Sequence, residues 1–168
     1  DGETYGKGGP FIAAGANAGG DDFTRGMAVV EGHLGRLKDL RKLLRNLPLI
    51  APVDQYQISS KFGRRRDPFN KKWARHQGLD MSGLMRTPVF STAPGRVSFV
   101  GWKGRFGRMV MVDHGLGIST RYGHLRRYNV RKGQVVKYRQ KIGQLGNSGR
   151  STGAHVHYAV LVDGKPVD

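Results

Sequence analysis

The segment that most constrains this chain is the run Gly-Asn-Ser-Gly-Arg-Ser-Thr-Gly-Ala-His-Val-His-Tyr at residues 146–158. It ends in a His-x-His pair, and the residues around that pair are rich in Val and Tyr, which is typical of a strand. On a strand, residues i and i+2 point to the same face. His155 and His157 would therefore bring two imidazoles into one small volume.

Two further motifs supply candidate site residues. The motif Arg-His-Gln-Gly-Leu-Asp places His76 and Asp80 four residues apart, and Tyr-Gly-His-Leu contains His124. Zinc binds imidazole and carboxylate well, and a catalytic zinc site usually has three protein ligands and one water. His76 and Asp80, with one histidine of the His-x-His pair, would form such a set. His-x₃-Asp alone is a weak signal, because six histidines in a chain of this size produce such pairs by chance.

Composition limits the fold and the chemistry. The 168 residues are enough for one domain with an appendage. The absence of cysteine rules out a thiolate zinc site and a cysteine nucleophile. The 26 glycines favour tight turns and short strands over a helical bundle.

The charge favours a polyanionic partner. Lys and Arg number 29 against 12 Asp and Glu, which gives a net charge of +17. Nucleic acid, anionic lipid and an acidic cell-wall polymer all fit this charge, and so does a basic surface that only confers solubility. We expect no nucleic-acid partner, because the chain contains no nucleic-acid-binding motif.

The sequence also limits how the chain meets a membrane. No apolar run approaches the roughly 20 residues needed to span a bilayer, and no signal peptide is visible. The chain begins with Asp1, so we expect a processed or trimmed piece, whose membrane anchor or signal would lie outside it.

The pattern predicts three regions. Residues 1–21 form a Gly-rich irregular lead-in, residues 22–48 an amphipathic helix, and residues 49–168 the main domain. In the helical region, apolar residues recur at spacings of three and four. This apolar stripe consists of Met27, Val30, Leu34, Leu37, Leu40, Leu44 and Leu47. Asp22 is the expected N-cap and Pro48 the stop. The stripe would pack on the domain or on a helix missing from this piece.

The main domain is predicted to be mainly β, which makes the chain α+β overall. Short runs rich in Val, Ile, Tyr and Phe are separated by turn signals such as Pro94-Gly95 and Asp163-Gly164. These runs predict strands at residues 57–62, 88–91, 96–100, 108–114, 118–124 and 155–162. The expected architecture is a mostly antiparallel β-sheet domain preceded by one long N-terminal helix.

From about Ile58 to its end, the chain resembles the lysostaphin/LytM family of zinc peptidases, which hydrolyse peptide bonds in bacterial peptidoglycan. Ala154 is one departure, because proline is commoner there in the family. The motifs that carry the resemblance occur in the family's order, and they include Ser60-Lys-Phe-Gly-Arg, His76-Gln-Gly-Leu-Asp80, Ala93-Pro-Gly-Arg-Val, Asp113-His-Gly, Tyr122-Gly-His-Leu125 and Gly149-Arg-Ser-Thr-Gly-Ala-His-Val-His157.

The resemblance implies roles for five residues. His76, Asp80 and His157 would be the ligands of a Zn²⁺ ion. His124 and His155 would be the catalytic histidines, one as a general base and the other stabilising the oxyanion, in an order left open.

The resemblance also implies a function. The style of the motifs, close to that of Gram-negative members, suggests an endopeptidase of the periplasm or cell envelope that cuts stem-peptide cross-links at the D-alanyl–diaminopimelate bond. Cleavage of glycine bridges is a second, less favoured enzymatic activity. The alternative from another class is a non-catalytic LytM-type regulator that activates another cell-wall hydrolase. Members of that kind usually lack metal ligands, whereas all are present here.

The N-terminal region suggests control of the enzyme. Residues 1–50 would fold over the groove and hold the enzyme latent, or would dock a protein regulator through the apolar stripe. A long amphipathic element beside an otherwise complete domain motivates this hypothesis.

The roles of several other residues are less specific. The basic side chains between residues 64 and 75 would either meet substrate carboxylates or form a solvated loop. Trp73 and Trp102 would line a groove, although core packing is favoured. We expect His114 to form structural hydrogen bonds, Asp113 to orient a turn, and His33 to face solvent.

Overall fold

The structure, a computed structural model, describes residues 18–168. The chain divides into two units between Leu40 and Arg41. Helix α1 spans Ala18–Asn46, so it begins before the predicted start at residue 22. Asp22 therefore lies inside the helix and is not its N-cap. The lead-in predicted for residues 1–21 lies, up to residue 17, outside the described residues. In the described range, no helix is both long and apolar enough to cross a membrane.

After the helix, the described residues form thirteen short strands. The first six are β1 (Gln57–Ser60), β2 (Gly63–Arg66), β3 (Trp73–His76), β4 (Leu79–Ser82), β5 (Pro88–Phe90) and β6 (Gly95–Trp102). The others are β7 (Arg108–Gly115), β8 (Ile118–Leu125), β9 (Arg127–Tyr128), β10 (Val135–Val136), β11 (Lys141–Gln144), β12 (His155–Val162) and β13 (Lys165–Val167).

These strands form antiparallel sheets. The largest has the order β1-β4-β12-β8-β7-β6-β10, and β13 also pairs with β12. A three-stranded sheet has the order β5-β11-β9, and β2 and β3 form a separate hairpin ribbon. The predicted fold, antiparallel β preceded by one long helix, is confirmed. Strand β12 is central, because it pairs with β4 on one side and β8 on the other.

The core lies beneath the central strands. In β7, Val110, Val112 and His114 are buried while Asp113 is exposed, as the alternation of side chains predicts. Val110, Val112, Tyr122 and Leu125 belong to one apolar cluster that the smaller sheet also joins. Each fully buried aliphatic side chain contributes about 1.5–3 kcal/mol, so this cluster makes the sheet a firm platform.

A buried polar chain runs through this core from His114. Its Nδ1 donates to the Pro94 carbonyl over 2.7 Å, and its Nε2 lies 2.8 Å from the Thr120 hydroxyl. The hydroxyls of Thr120, Tyr122 and Thr92 continue the chain. Burial lowers the pKa of His114, which keeps the ring neutral. Both ring nitrogens of His114 thus form hydrogen bonds within the core, as expected for a structural role.

Neither tryptophan packs in the core, contrary to the expectation. Trp73 and Trp102 are 57% and 61% exposed. Trp73 begins β3 in the two-stranded ribbon, which has no second layer to bury it. The guanidinium carbons of Arg64 and Arg66 lie 4.3 and 5.0 Å from its ring centroid instead, so cation–π contact replaces burial.

Candidate metal centre and cleft

Three neighbouring strands position the candidate metal ligands. His76 is the last residue of β3, Asp80 lies in β4, and His157 lies in β12. Asp80 and His157 are direct partners in the β4–β12 ladder. Between β3 and β4, Gly78 lies against His157, and a Cβ there would come within 2.7 Å of the His157 ring and 2.5 Å of the Tyr158 carbonyl oxygen. The chain can return beside the imidazole only because residue 78 has no side chain.

The three donor atoms form a compact triangle. His76 Nε2 lies 3.0 Å from both Asp80 Oδ1 and His157 Nδ1, and the remaining edge, from His157 Nδ1 to Asp80 Oδ1, is 2.9 Å. All three residues are buried. Zinc ligands 2.0–2.1 Å from a tetrahedral ion lie roughly 3.3 Å apart. The observed edges are about 0.3 Å shorter than this spacing, so a small outward shift of the donors would fit the triangle to a zinc ion.

Hydrogen bonds assign the tautomers of the two imidazoles. His76 Nδ1 lies 2.8 Å from the Lys61 carbonyl, which can only accept, so Nδ1 carries the proton and Nε2 keeps its lone pair. His157 directs Nδ1 into the triangle, while its Nε2 is buried without a hydrogen-bond partner among the described residues. Two imidazole lone pairs and a carboxylate oxygen converging at this distance fit a shared cation.

Electrostatics keep the carboxylate ionised. Burial alone would raise the pKa of Asp80, but the close contacts with the His157 and His76 rings outweigh it and bring the pKa well below its usual range. The Arg65 guanidinium lies 3.3 Å from Oδ2 of Asp80. Oδ1 faces the histidines and Oδ2 faces the arginine, so each oxygen has its own partner.

Two more histidines flank the triangle. His155 donates from Nδ1 to the Gly153 carbonyl over 2.9 Å, and its Nε2 lies 3.7 Å from Asp80 Oδ1. His124 donates from Nδ1 to the Ser148 carbonyl over 2.7 Å, and its ring centroid is 4.6 Å from that of His155. Each ring thus has Nδ1–H fixed on the backbone and leaves Nε2 with a lone pair.

The backbone holds His124 in a left-handed conformation, with φ of 58°. This is uncommon for a residue with a side chain, so surrounding contacts must maintain it. Ser148 makes several of them, because its hydroxyl donates to the Leu125 carbonyl and accepts from the Arg108 amide, over 2.8 and 2.9 Å. Burial lowers the pKa of His124 to about 4, so its ring is neutral near pH 7.

The site opens into a basic cleft of about 540 Å³. Arginines line much of it, namely Arg65, Arg75, Arg105 and Arg150. Arg150 forms a bidentate pair with Asp67, with contacts of 2.6 and 2.8 Å, and this pair ties the β2–β3 turn to the loop before β12. The hydrogen bond from Arg150 holds the pKa of Asp67 well below its usual range. A cleft of this charge attracts anionic groups such as carboxylates.

The structure brings together all five predicted site residues: His76, Asp80, His124, His155 and His157. His33 is exposed on the helix, and Asp113 accepts from the Gly115 amide in a turn. Of the basic segment between residues 64 and 75, Arg65 and Arg75 line the cleft. Strand alternation turns Arg64 and Arg66 away from the face of Arg65, and both stack on Trp73.

Sequence reasoning missed several contributors to the site. The Lys61 carbonyl, the hydroxyl of Ser148 and the side chains of Arg105 and Arg150 all take part in it. Lys61, Ser148 and Arg150 lie within the quoted motifs, but nothing local to those motifs indicates their roles, because only the folded sheet brings them to the cleft. The glycine of His76-Gln-Gly-Leu-Asp80 was the one usable signal, because a glycine inside a motif often marks close backbone approach.

A buried His₂Asp triangle, with two further imidazoles at the mouth of an antiparallel sheet, defines a metallopeptidase domain. Comparison with known proteins gives the same class. Residues 74–168 match the model of peptidase family M23, and the chain belongs to that family. The resemblance seen in the motifs is thereby confirmed.

Curated relatives and a solved structure agree with this assignment. The chain is 42% identical over 119 residues to the peptidoglycan DD-endopeptidase ShyA of Vibrio cholerae, covering 70% of this chain and 28% of ShyA. It is 40% identical over 119 residues to the DD-carboxypeptidase/endopeptidase Mpg of Neisseria meningitidis, covering 71% and 27%. A crystal structure of a zinc-containing peptidase from Vibrio cholerae superposes with a TM-score of 0.66 at 40% identity, covering 70% of this chain and 37% of that one. The chain spans less than a third of the length of either curated relative.

Proposed function

We propose that this chain is a zinc-dependent endopeptidase that hydrolyses peptide cross-links of bacterial peptidoglycan, at the D-alanyl–diaminopimelate bond. The observation that carries the proposal is the triangle of donor atoms, all within 3.0 Å of one another at the base of a basic cleft. The names of the relatives, which refer to DD-endopeptidase activity, support the choice of bond.

His76, Asp80 and His157 would hold the zinc ion. Zinc bound there would polarise the scissile carbonyl and lower the pKa of a coordinated water. Oδ2 of Asp80 stays on Arg65, so the ligand oxygen is presented in one orientation. The Lys61 carbonyl fixes the ring of His76 in the same way.

His155 and His124 would move the protons. Their Nδ1–H groups are anchored on the Gly153 and Ser148 carbonyls, so Nε2 of either ring can accept a proton from the attacking water and return one to the leaving amine. A ring that holds a proton at Nε2 would stabilise the negative charge of the tetrahedral oxygen. The order of these duties between the two rings stays open.

The cleft charges suit the proposed substrate. Stem peptides carry carboxylates, and Arg75 and Arg105 line the cleft without an ion pair among the described residues. The complete set of metal donors favours catalysis over the role of a non-catalytic regulator. A cell-wall substrate implies the periplasm or cell envelope as the place of action.

The N-terminal helix would bind a protein regulator. Helix α1 carries the apolar stripe from Met27 to Leu44 at spacings of three and four, which is the pattern of a helix that packs against another surface, and Leu47 lies just after its end. Deletion of residues 1–46 is the test. Unchanged regulation and partner binding in the shortened chain would count against this role.

The activity is tested by digestion of purified cross-linked muropeptides with the zinc-loaded protein. We expect the dimer peak to decline and monomers to appear, with a new free amine on the diaminopimelate side chain. The matched control is His157→Ala, which removes one ligand. An undigested dimer with fully zinc-loaded protein, or equal digestion by the variant, would overturn the proposal.

A further inference from the structure

A second basic depression, of about 710 Å³, lies outside the cleft. Four of the six residues that line it are arginines: Arg86, Arg108, Arg126 and Arg127, with Tyr128 and Gln144. No acidic residue lines it. We propose that this arginine pocket binds carboxylate groups of the peptidoglycan polymer, as a docking site separate from the site of cleavage. The inference rests on the proposed function.

The backbone fixes the arginines around β11. The Arg126 amide donates to the Gln144 carbonyl over 2.9 Å, and Arg127 pairs with Gln144 in the β9–β11 ladder. The Arg86 amide donates to the Leu145 carbonyl over 3.0 Å. A Cβ at Gly146 would collide with the backbone of Arg126, so the turn after β11 packs closely beneath the pocket. Arg108 is the first residue of β7, so all four cationic side chains start from defined backbone positions.

None of these guanidiniums is neutralised by the fold. In the described part of the chain, the arginines that pair with carboxylates are Arg65, Arg139 and Arg150, and all three lie elsewhere. Like charges gathered at one depression repel one another, and an anionic ligand removes that repulsion. Guanidinium groups bind carboxylates through two parallel hydrogen bonds, while the Tyr128 hydroxyl and the Gln144 amide add neutral partners.

The position of the pocket favours the polymer over a lipid surface. Arg126 follows His124 by two residues, and the Arg108 amide bonds to the hydroxyl of Ser148, whose carbonyl holds His124. The pocket and the cleft thus share the same supporting loops. A concave site can enclose a carboxylate-bearing side chain, whereas a flat membrane surface cannot enter it. A second weak contact to a multivalent polymer raises the local concentration of cross-links.

The test is sedimentation with insoluble purified peptidoglycan, in a His155→Ala background so that the polymer is not consumed. We expect Arg86→Glu with Arg127→Glu to weaken binding at least about tenfold at low salt, and Arg86→Gln with Arg127→Gln to weaken it less. The matched control is Arg131→Glu with Lys132→Glu, the same change of charge on exposed residues outside the pocket. Thermal unfolding of each variant checks that it folds.

Three outcomes would overturn the inference. Equal loss of binding in pocket and control variants would mean that only net charge matters. If the folded pocket variants sediment with the polymer as the unaltered pocket does, the pocket is not a binding site for it. Anionic phospholipid vesicles form a second arm, and loss of vesicle binding with intact polymer binding would assign the pocket to phosphate headgroups instead. Cleavage of a soluble muropeptide dimer by the otherwise unaltered chain is measured separately, so failure of the proposed function shows there and not in sedimentation.

Discussion

Asp80 and His157 stand directly opposite each other on antiparallel strands, with Oδ1 and Nδ1 2.9 Å apart. Residues 77 positions apart in the chain are thus fixed by the ladder of a central sheet rather than by a flexible loop. Donors held on such strands need little rearrangement to bind an ion.

The flanking histidines should be separable from the metal ligands. We predict that His124→Ala and His155→Ala each lower kcat by about 10²- to 10⁴-fold, the usual contribution of a general acid or base, while zinc content stays unchanged. Turnover of muropeptide dimers and metal analysis on the same preparations give both quantities. Loss of zinc together with activity would place these residues among the ligands and contradict the assignment.

Gly78 should be needed for the metal site. In Gly78→Ala the new methyl group meets the Tyr158 carbonyl and the His157 ring, so that ring must shift. We predict a loss of zinc affinity of about 10- to 100-fold, as for other residues that orient ligands. Gly153→Ala is the matched control, since a Cβ there has open space around it. Competition with a chromogenic chelator measures both, and similar affinities for the two variants would refute the steric argument.

Ser148 should position His124. Ser148→Ala leaves the Leu125 carbonyl and the Arg108 amide without their hydroxyl partner, which we expect to destabilise the fold by about 1–3 kcal/mol. Because the same loop holds His124 in its left-handed conformation, kcat should fall while zinc content and KM change little.

Ser98→Ala is the control for that variant. Its hydroxyl also donates to a backbone carbonyl, that of Met111, but it is exposed and remote from the cleft. We expect a change in stability within about 0.5 kcal/mol and normal turnover. A Ser148 variant that is merely less stable, with wild-type kcat at low temperature, would show that the residue has no positioning role.

His114 should make stability depend on pH. Burial lowers its pKa in the folded state below the usual 6.5, and the hydrogen bond to the Pro94 carbonyl and the nearby Asp113 charge oppose this only partly. Below about pH 6.5 the unfolded chain therefore binds a proton that the folded chain does not. The contribution of His114 to the free energy of unfolding should be complete above that pH. It should decline as the pH falls towards the pKa of the folded state.

Urea unfolding across this range measures the effect. We expect His114→Gln to show a shallower decline than the wild type, and His33→Gln, altered at an exposed position on the helix, to match the wild type. Since the remaining four histidines are common to all three proteins, the comparison isolates His114. Identical slopes for the His114 variant and the wild type would contradict the prediction.

The sequence predicts the site residues more completely than it predicts the strands that carry them. His155 and His157 lie on one strand face, as the period of two requires. The six predicted strands are all present, the last with the predicted bounds and the other five with one or both ends shifted. Strands β2, β3 and β4 were not predicted, although they carry His76 and Asp80. They are four residues long, and the exposed arginines of β2 and β3 hide the apolar alternation by which strands are recognised.

The other features that the sequence does not predict depend on long-range contacts and on the position of an element in the fold. The bidentate pair between Asp67 and Arg150 joins residues 83 apart, and Ser148 reaches Arg108 across 40. Neither has a local signature. Trp73 was expected in the core because aromatic residues usually bury large areas, but a two-stranded ribbon has no inner face, and stacked arginines cover the ring instead.

X-ray absorption at the zinc edge, combined with metal quantification, tests the central claim most directly. The account predicts a single zinc ion per chain with two imidazole nitrogens and one carboxylate oxygen as protein ligands, and its loss in His76→Ala, Asp80→Ala and His157→Ala. A zinc spectrum that is unchanged in Asp80→Ala, or a zinc-free protein in which all three residues are intact and zinc is supplied, would contradict it.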